Sequence, residues 1–291
     1  MEEIINIAIG TVSMRPYVFA FFAAYLAAAV LHLGWRKTIW FTVVGYLIAF
    51  ISEFSSINNG FPYGWYYYMD TTRGRELWIA GVPFFDSLSY VFLAYCSYAT
   101  ALLVVSPLKV WRWELVPLET RSIRRSFSVL VLASMFQAFL DIVIDPVALQ
   151  GRHWFLGQIY GYREAGVHFG VPLSNYVGWW LVSALMVFAL QRIDARCDKG
   201  NSDCNRPLGV ANIPLRYLLG PILYLSVLIF NITITLMIGE HLMAVTGIFI
   251  FTLPIVISAV LLLRRANRYS REELAEHLQD YPYSPVSGRR G

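Results

Sequence analysis

The chain has 291 residues, of which 57% are hydrophobic and 14% are charged, and its formal net charge is +4. Soluble domains carry roughly 25% charged residues, so this composition excludes an ordinary water-soluble globular protein. A membrane protein is expected, and the small net charge gives no reason to expect a nucleic-acid partner.

Seven apolar stretches are long enough to cross a bilayer, which takes about 20 residues of helix. They lie near residues 16–33, 38–57, 82–105, 126–145, 171–191, 217–237 and 242–263. The sequence therefore predicts an all-α polytopic membrane protein. Its single transmembrane domain is expected to span residues 1–263, followed by a polar tail at 264–291.

Positive charges are unevenly shared between the two sides of these spans. The segments after the first, third, fifth and seventh spans hold 18 of the 23 lysine and arginine residues. Because basic residues concentrate in cytoplasmic loops, we predict an N-terminus outside and a C-terminal tail in the cytoplasm. A prokaryotic cytoplasmic membrane is the expected location.

Polar residues within the spans gather towards one side of the membrane. Glu53 ends the second span, Asp86 begins the third, Asp141 and Asp145 close the fourth, and Asn175 opens the fifth. Ionisable groups at membrane depth cost about 2.5–3.5 kcal/mol each on insertion scales, and they are usually functional. We expect a site near the non-cytoplasmic face, the alternative being carboxylates that pair with nearby arginines or reach the interface.

The segments around these residues resemble each other. In both GVPFFD and GVPLSN, a polar residue, Asp86 or Asn175, comes three positions after the proline. A loop rich in glycine and aromatic residues precedes each motif. The similarity predicts two helix–loop–helix units that face each other, although prolines at helix starts are common and the repeat is short.

The motif DIVIDP suggests acid–base chemistry. Asp141 and Asp145 are four residues apart and share one face of a helix. Pro146 disfavours helical geometry at the preceding residue, so we predict that the helix ends at Asp145. The negative end of a helix dipole favours protonated carboxyl groups, and Glu53 has a similar position on its own span.

These positions lead to predicted roles for the four carboxyl groups. Asp141 is the first choice of acid because it lies one turn deeper, in a drier place, than Asp145. Asp145 would orient a water molecule or take its proton, and Glu53 is the alternative acid. Asp86, at a helix N-terminus, is expected to be a carboxylate.

Several membrane chemistries lack the residues they require. The three lysines, Lys37, Lys109 and Lys199, fall in predicted loops, which excludes a retinal Schiff base within a span. The histidines and cysteines have no metal-ligand spacing. No P-loop, dinucleotide-binding glycine motif or nucleophile elbow occurs. The remaining residues favour acid–base chemistry on an apolar substrate, with neither metal nor cofactor. The alternative is that the four carboxylates bind a hard cation such as Mg²⁺ or Ca²⁺ through oxygen.

Protonation of an isolated alkene produces a carbocation, which aromatic faces stabilise without capturing it. The loops and helix starts around the carboxyl groups offer such rings, although tryptophan and tyrosine are also typical of membrane interfaces. The rings that could form this wall are Trp65, Tyr66, Tyr67, Tyr68, Trp154, Tyr160, Tyr162, Trp179 and Trp180. The predicted substrate-binding residues are Tyr63, Trp65, Tyr66, Tyr67, Trp154, Asn175, Tyr176, Trp179 and Trp180.

Four segments carry a resemblance to a known family: EFSSINNGFPYGWYYY, GVPFFDSLSYVFLAY, LDIVIDPVALQGRHWF and GVPLSNYVGWW. They resemble the membrane-embedded carotenoid hydratases, which include γ-carotene 1′-hydratase and bisanhydrobacterioruberin hydratase. The resemblance covers about Ile51 to Trp180. Members commonly carry a tryptophan after the VP pair of the third span, where this chain has FFDSLSYVF.

The resemblance implies water addition across the terminal 1,2 double bond of an acyclic (ψ) carotenoid end group, without a cofactor. The implied partners are an acyclic carotenoid and the lipid bilayer, and a homo-oligomer or neighbouring carotenoid enzymes are compatible with it. Two alternatives stay open. One is a cyclase or isomerase that uses the same cation, and the other is a non-catalytic carotenoid- or lipid-binding membrane protein.

Overall fold

The computed structural model describes residues 2–111, 114–200, 215–282 and 284–287. This part of the chain is mainly helical. Its α-helices are α1 (Glu2–Met14), α2 (Pro16–Leu33), α3 (Trp35–Asn59), α4 (Phe84–Val105), α5 (Arg121–Arg124), α6 (Phe127–Leu149), α7 (Leu173–Gly200), α8 (Leu219–Met237), α9 (His241–Arg265) and α10 (Arg271–Asp280).

Seven of these helices, namely α2, α3, α4, α6, α7, α8 and α9, are long and apolar enough to cross a membrane. The prediction of an all-α membrane protein with seven spans is therefore confirmed. Several helices extend beyond the predicted spans, and this corrects the placement of two lysines. Lys37 and Lys199 lie in the terminal turns of α3 and α7 and not in loops.

Helix α4 is the centre of the bundle. In its most apolar window 83% of the residues are buried, compared with 11% in α9. Helices α2, α3, α6, α7 and α8 all pack against α4. Apolarity alone does not explain this position, because α9 is more apolar and lies mostly exposed. Helix α4 instead carries buried small and polar residues such as Ser87 and Ser97. Residues of this kind favour contact with other helices over contact with lipid.

The two units with similar motifs face each other, as predicted. Helix α3 packs against α7 and α4 packs against α6. Strands β1 (Tyr66–Tyr68) and β6 (Tyr160–Tyr162), one from each intervening loop, form an antiparallel pair with Tyr66 opposite Tyr162 and Tyr68 opposite Tyr160. We call the end of the bundle that carries this pair the cavity end.

The prediction that a helix ends at Asp145 is wrong. Helix α6 continues through Pro146 to Leu149, so Asp145 lies about one turn and Asp141 about two turns before its end. A proline inside a helix costs one hydrogen bond, which the packing of a buried helix can outweigh. The indole of Trp154 donates to the Val147 carbonyl at 3.0 Å and thereby holds the last turn.

Glu53 also lies farther from its helix end than predicted, because α3 extends to Asn59. Gly60 ends α3 with φ +80°, a left-handed conformation that favours glycine. The argument from the helix dipole therefore does not apply to Glu53, Asp141 or Asp145, since the effect falls off within the last turn.

Smaller elements complete the two ends of the bundle. Strands β2 (Trp78–Ile79) and β3 (Val82–Pro83) form a hairpin, as do β4 (Leu108–Trp111) and β5 (Glu114–Pro117). At the end opposite the cavity, the described part of the tail folds against the protein. His277 of this tail is buried, and its Nδ1 lies 2.6 Å from the carbonyl oxygen of Glu119. Residue 283 and residues 288–291 of the predicted tail lie outside the described residues.

The uneven distribution of positive charge leads to a test of orientation. In a background without native cysteines, a cysteine at Val167, which is 84% exposed at the cavity end, should react with an impermeant maleimide in intact cells. A cysteine at the exposed Glu272 of α10 should react only after the cells are permeabilised. The opposite labelling pattern would reverse the predicted topology.

Candidate active site

A cavity of about 110 Å³ lies inside the cavity end of the bundle. Four of the five predicted polar residues line it, namely Glu53, Asp86, Asp145 and Asn175. The rest of its wall is mostly aromatic and aliphatic. The structure therefore brings together residues from four helices that are up to 122 positions apart in the sequence.

The first polar cluster is centred on Glu53, which is 1% exposed. Its Oε1 accepts a hydrogen bond from the Tyr68 hydroxyl at 3.0 Å, and its Oε2 accepts one from Ser87. The same Tyr68 hydroxyl lies 2.6 Å from Oδ2 of Asp86. A phenol has one hydrogen and donates only one bond, so both contacts are hydrogen bonds only when one carboxyl group carries a proton.

The second polar cluster is centred on Asp145, whose two oxygens face three donors. Oδ1 accepts from the Tyr160 hydroxyl at 2.6 Å, and Oδ2 accepts from the Tyr162 hydroxyl and from Nδ2 of Asn175 at 2.7 Å. Asn175 also donates to Oδ2 of Asp141 at 2.8 Å. All three groups donate hydrogen bonds to the Asp145 carboxyl group. Because an ionised carboxylate only accepts hydrogen bonds, this arrangement suits the ionised form of Asp145.

Tyr68 of β1 and Tyr160 and Tyr162 of β6 act as hydrogen-bond donors because their hydroxyl groups stay protonated. Burial, followed by the negative charge of Asp145, raises the pKa of the Tyr160 and Tyr162 hydroxyls above the usual range. Burial, followed by the charges of Asp86 and Glu53, raises the pKa of Tyr68 in the same way. These phenols therefore keep their protons at neutral pH.

Asp141, the first choice of acid in the sequence, lies behind the cavity wall. Its side chain is fully buried, and within the described part of the chain its Oδ1 has no hydrogen-bond partner. Asn175 stands in contact with both Asp141 and Asp145, and of these two carboxyl groups only Asp145 lines the cavity. Asp141 thus contacts Asn175 and does not itself line the cavity.

Five of the nine predicted substrate-binding residues line the cavity and four do not. Those in the wall are Tyr63, Tyr66, Trp154, Asn175 and Trp179. In a strand, neighbouring side chains point to opposite faces, so Tyr66 is buried while Trp65 and Tyr67 are 44% and 46% exposed.

Two neighbouring tryptophans near the start of α7 also differ in burial. Trp179 is buried and stacks on Tyr90 with ring centroids 4.1 Å apart, whereas Trp180 is 41% exposed. Successive residues of a helix point about 100° apart, so both cannot face the cavity. Tyr176 also does not line the cavity, and its hydroxyl lies 2.6 Å from Nδ1 of His168.

A comparison with protein families decides the identity of the chain. The family model described as carotenoid biosynthesis protein matches residues 13–254. The chain belongs to this family. The match extends from the last residues of α1 into α9, so it includes every residue of the two polar clusters. The family-level resemblance seen in the sequence is confirmed, and carotenoid biosynthesis is the process in which the protein takes part. Searches of the curated proteins and of the solved structures find no match.

Several cavity residues of this carotenoid biosynthesis protein were missed or underrated by sequence reasoning. Tyr68, Tyr160 and Tyr162 were considered only as rings, although they donate to carboxyl groups. The repeated Y-x-Y spacing would have placed them on one face of a strand. Further missed residues that the structure places in the wall are Tyr17, Phe21, Tyr90, Phe230 and Asn231. Asn231 is a lone amide in the apolar run LIFNITI, and a polar residue inside a membrane span is itself an indication of a functional site.

Proposed function

We propose that this protein adds water across the terminal 1,2 double bond of an acyclic carotenoid end group, as a hydro-lyase that needs no cofactor. The observation that carries the proposal is one cavity in which two hydrogen-bonded carboxyl clusters lie beside an aromatic wall. Such a site holds an acid, a base and cation-stabilising rings, which are the groups that hydration of an alkene requires.

The size of the cavity supports an end group as the bound part of the substrate. An apolar protein cavity of about 150 Å³ can hold a benzene molecule. A cavity of about 110 Å³ is therefore suited to a terminal isoprene unit and much too small for an entire polyene. The remainder of the carotenoid would extend from the cavity towards the apolar part of the membrane.

The proposed acid is the cluster of Glu53 and Asp86. Their contacts with the single Tyr68 hydroxyl require one shared proton, and both residues line the cavity. We assign the transferred proton to Glu53, the alternative acid of the sequence analysis, because Asp141 lies behind Asn175. Proton transfer to C2 uses the π electrons of the double bond and leaves a tertiary cation at C1, beside the rings of Tyr63, Tyr66 and Trp179.

The proposed base is Asp145. Its negative charge stabilises the cation, and it takes one proton from the water molecule whose oxygen bonds to C1. The product is a tertiary alcohol, and the enzyme is left with a proton on Asp145 and none on Glu53. The tyrosines of the strand pair lie between the two clusters, with Tyr66 and Tyr162 ring centroids 6.3 Å apart, and offer a route for returning the proton.

The proposal also includes the side of the membrane on which the cavity opens. The charge distribution favours a cavity end at the non-cytoplasmic face, where the headgroup region supplies water. The acyclic carotenoid and the lipid bilayer are the proposed partners. Association with further copies of the chain, or with neighbouring carotenoid enzymes, is compatible with the mostly exposed α9.

Expression in a lycopene-producing host tests the proposed function. Mass analysis should find pigments heavier by one water molecule for each end group modified, and cells that express Glu53→Gln provide the matched control. A product of unchanged mass but altered absorption would favour the cyclase or isomerase. Lycopene that copurifies with the protein and stays unmodified would favour a carotenoid-binding protein.

A further inference from the structure

Five aromatic rings pack together at one side of the cavity, and we call them the ring cluster. Its members are Tyr17 and Phe21 of α2, Phe230 of α8, and Trp154 and Phe155 of the loop after α6. Tyr17 stacks on Phe230 with centroids 5.2 Å apart. Phe21 meets the edge of Phe230 at 5.5 Å, and Phe155 meets Tyr17 at 5.5 Å.

The ring cluster has an inner and an outer side. Tyr17, Phe21, Trp154 and Phe230 line the cavity, whereas Phe155 does not line it and is 56% exposed on the protein surface. The cluster is therefore a wall one or two rings thick between the cavity and the protein surface. It closes the space between α2 and α8, two helices that cross the bilayer next to each other.

The rings in this wall are held mainly by packing. Trp154 is fixed by the hydrogen bond from its indole to the Val147 carbonyl. Within the described part of the chain, no hydrogen bond holds the Tyr17 hydroxyl, and phenylalanine rings have no polar group. Rotation of Tyr17 and Phe230 would thus open a path without breaking a hydrogen bond, whereas a path through the strand pair would break several.

From this arrangement we infer that the ring cluster is the lateral entrance for the carotenoid and that it selects acyclic over ring-closed end groups. The inference rests on the proposed function for the identity of the ligand. An acyclic end group is no wider than the chain behind it, so it can pass between Tyr17 and Phe230. Ring closure folds the same carbon atoms into a wider body, which this wall excludes by steric contact.

Competitive binding tests the inference without relying on turnover. Purified protein in lipid nanodiscs is incubated with equal amounts of lycopene, which has two acyclic ends, and β-carotene, which has two ring-closed ends. The bound pigments are then extracted and quantified, and any hydrated lycopene is counted as acyclic. Wild-type protein should retain lycopene over β-carotene by about tenfold or more, as expected for a steric pocket, and Phe230→Ala should bring the ratio close to one.

Matched variants make the result specific to the wall. Ile229→Ala, on the lipid-exposed side of the same helix at 62% exposure, should keep the wild-type ratio. Phe230→Leu keeps an apolar side chain of intermediate size and should give an intermediate ratio. This variant keeps the test informative if Phe230→Ala does not fold. Equal binding of both pigments by the wild type, or an unchanged ratio in both Phe230 variants, would overturn the inference. Selective binding without any hydrated product would instead contradict the proposed function and leave the entrance intact.

Discussion

Replacing Glu53 with glutamine is expected to lower the rate of water addition by about 10²–10⁴-fold, the usual effect of losing a general acid. Glutamine keeps the shape of the side chain and its contacts with Tyr68 and Ser87, but it has no transferable proton. Lycopene should still bind, because the aromatic wall is unchanged. The rate of hydrated-product formation by purified protein in nanodiscs measures the effect.

Asp141→Asn is the matched control for this variant. Asp141 also belongs to a buried polar cluster, but its side chain lies behind Asn175. We therefore expect a smaller loss than in Glu53→Gln, caused by a changed orientation of Asn175. Nearly normal hydration by Glu53→Gln together with an inactive Asp141→Asn would assign the acid to Asp141 and overturn the geometrical argument.

Replacing Asp145 with asparagine should have an effect of similar size, about 10²–10⁴-fold, but on a different step. The variant keeps the Glu53 proton and loses the negative charge and the base. Protonation of the double bond should still take place slowly, while capture of the cation by water fails. The cation then returns a proton to the Glu53 carboxylate and becomes an alkene of unchanged mass.

Deuterium oxide separates the two steps. Lycopene recovered from Asp145→Asn in this solvent should contain deuterium or a shifted double bond, whereas lycopene recovered from Glu53→Gln should contain neither. Tyr162→Phe is a control that removes one donor to Asp145 but keeps its charge, and it should lose less activity. Hydration by Asp145→Asn at close to the wild-type rate would show that the base is another group.

The strand pair illustrates what could be predicted only in part. The tyrosines of YYY and YGY are visible in the sequence, but their roles depend on a pairing between residues that are about 94 positions apart. Pairing at this distance is set by how α3, α4, α6 and α7 pack. As a result, Tyr68 and Tyr162 were predicted as wall rings, and their hydrogen bonds to carboxyl groups were not.

The end of α6 shows a local rule that tertiary structure overrides. Pro146 favours a helix end at Asp145, and this preference is a property of the dipeptide alone. In the folded chain, packing and the Trp154 indole keep the helix intact to Leu149. The position of a carboxyl group relative to a helix end therefore could not be obtained from the local sequence.

The sequence by itself determined the membrane class, the seven spans, the family and the residue types of the site. Apolar runs of about 20 residues permit little else in a bilayer, and polar residues in such runs are costly enough to mark function. Only the tertiary structure decided which side chains share the cavity. It placed Asp141 behind Asn175, turned Trp65, Tyr67 and Trp180 outward, and added the rings of α2 and α8. These outcomes depend on the rotation of each helix against its neighbours, which is set by packing across the whole bundle.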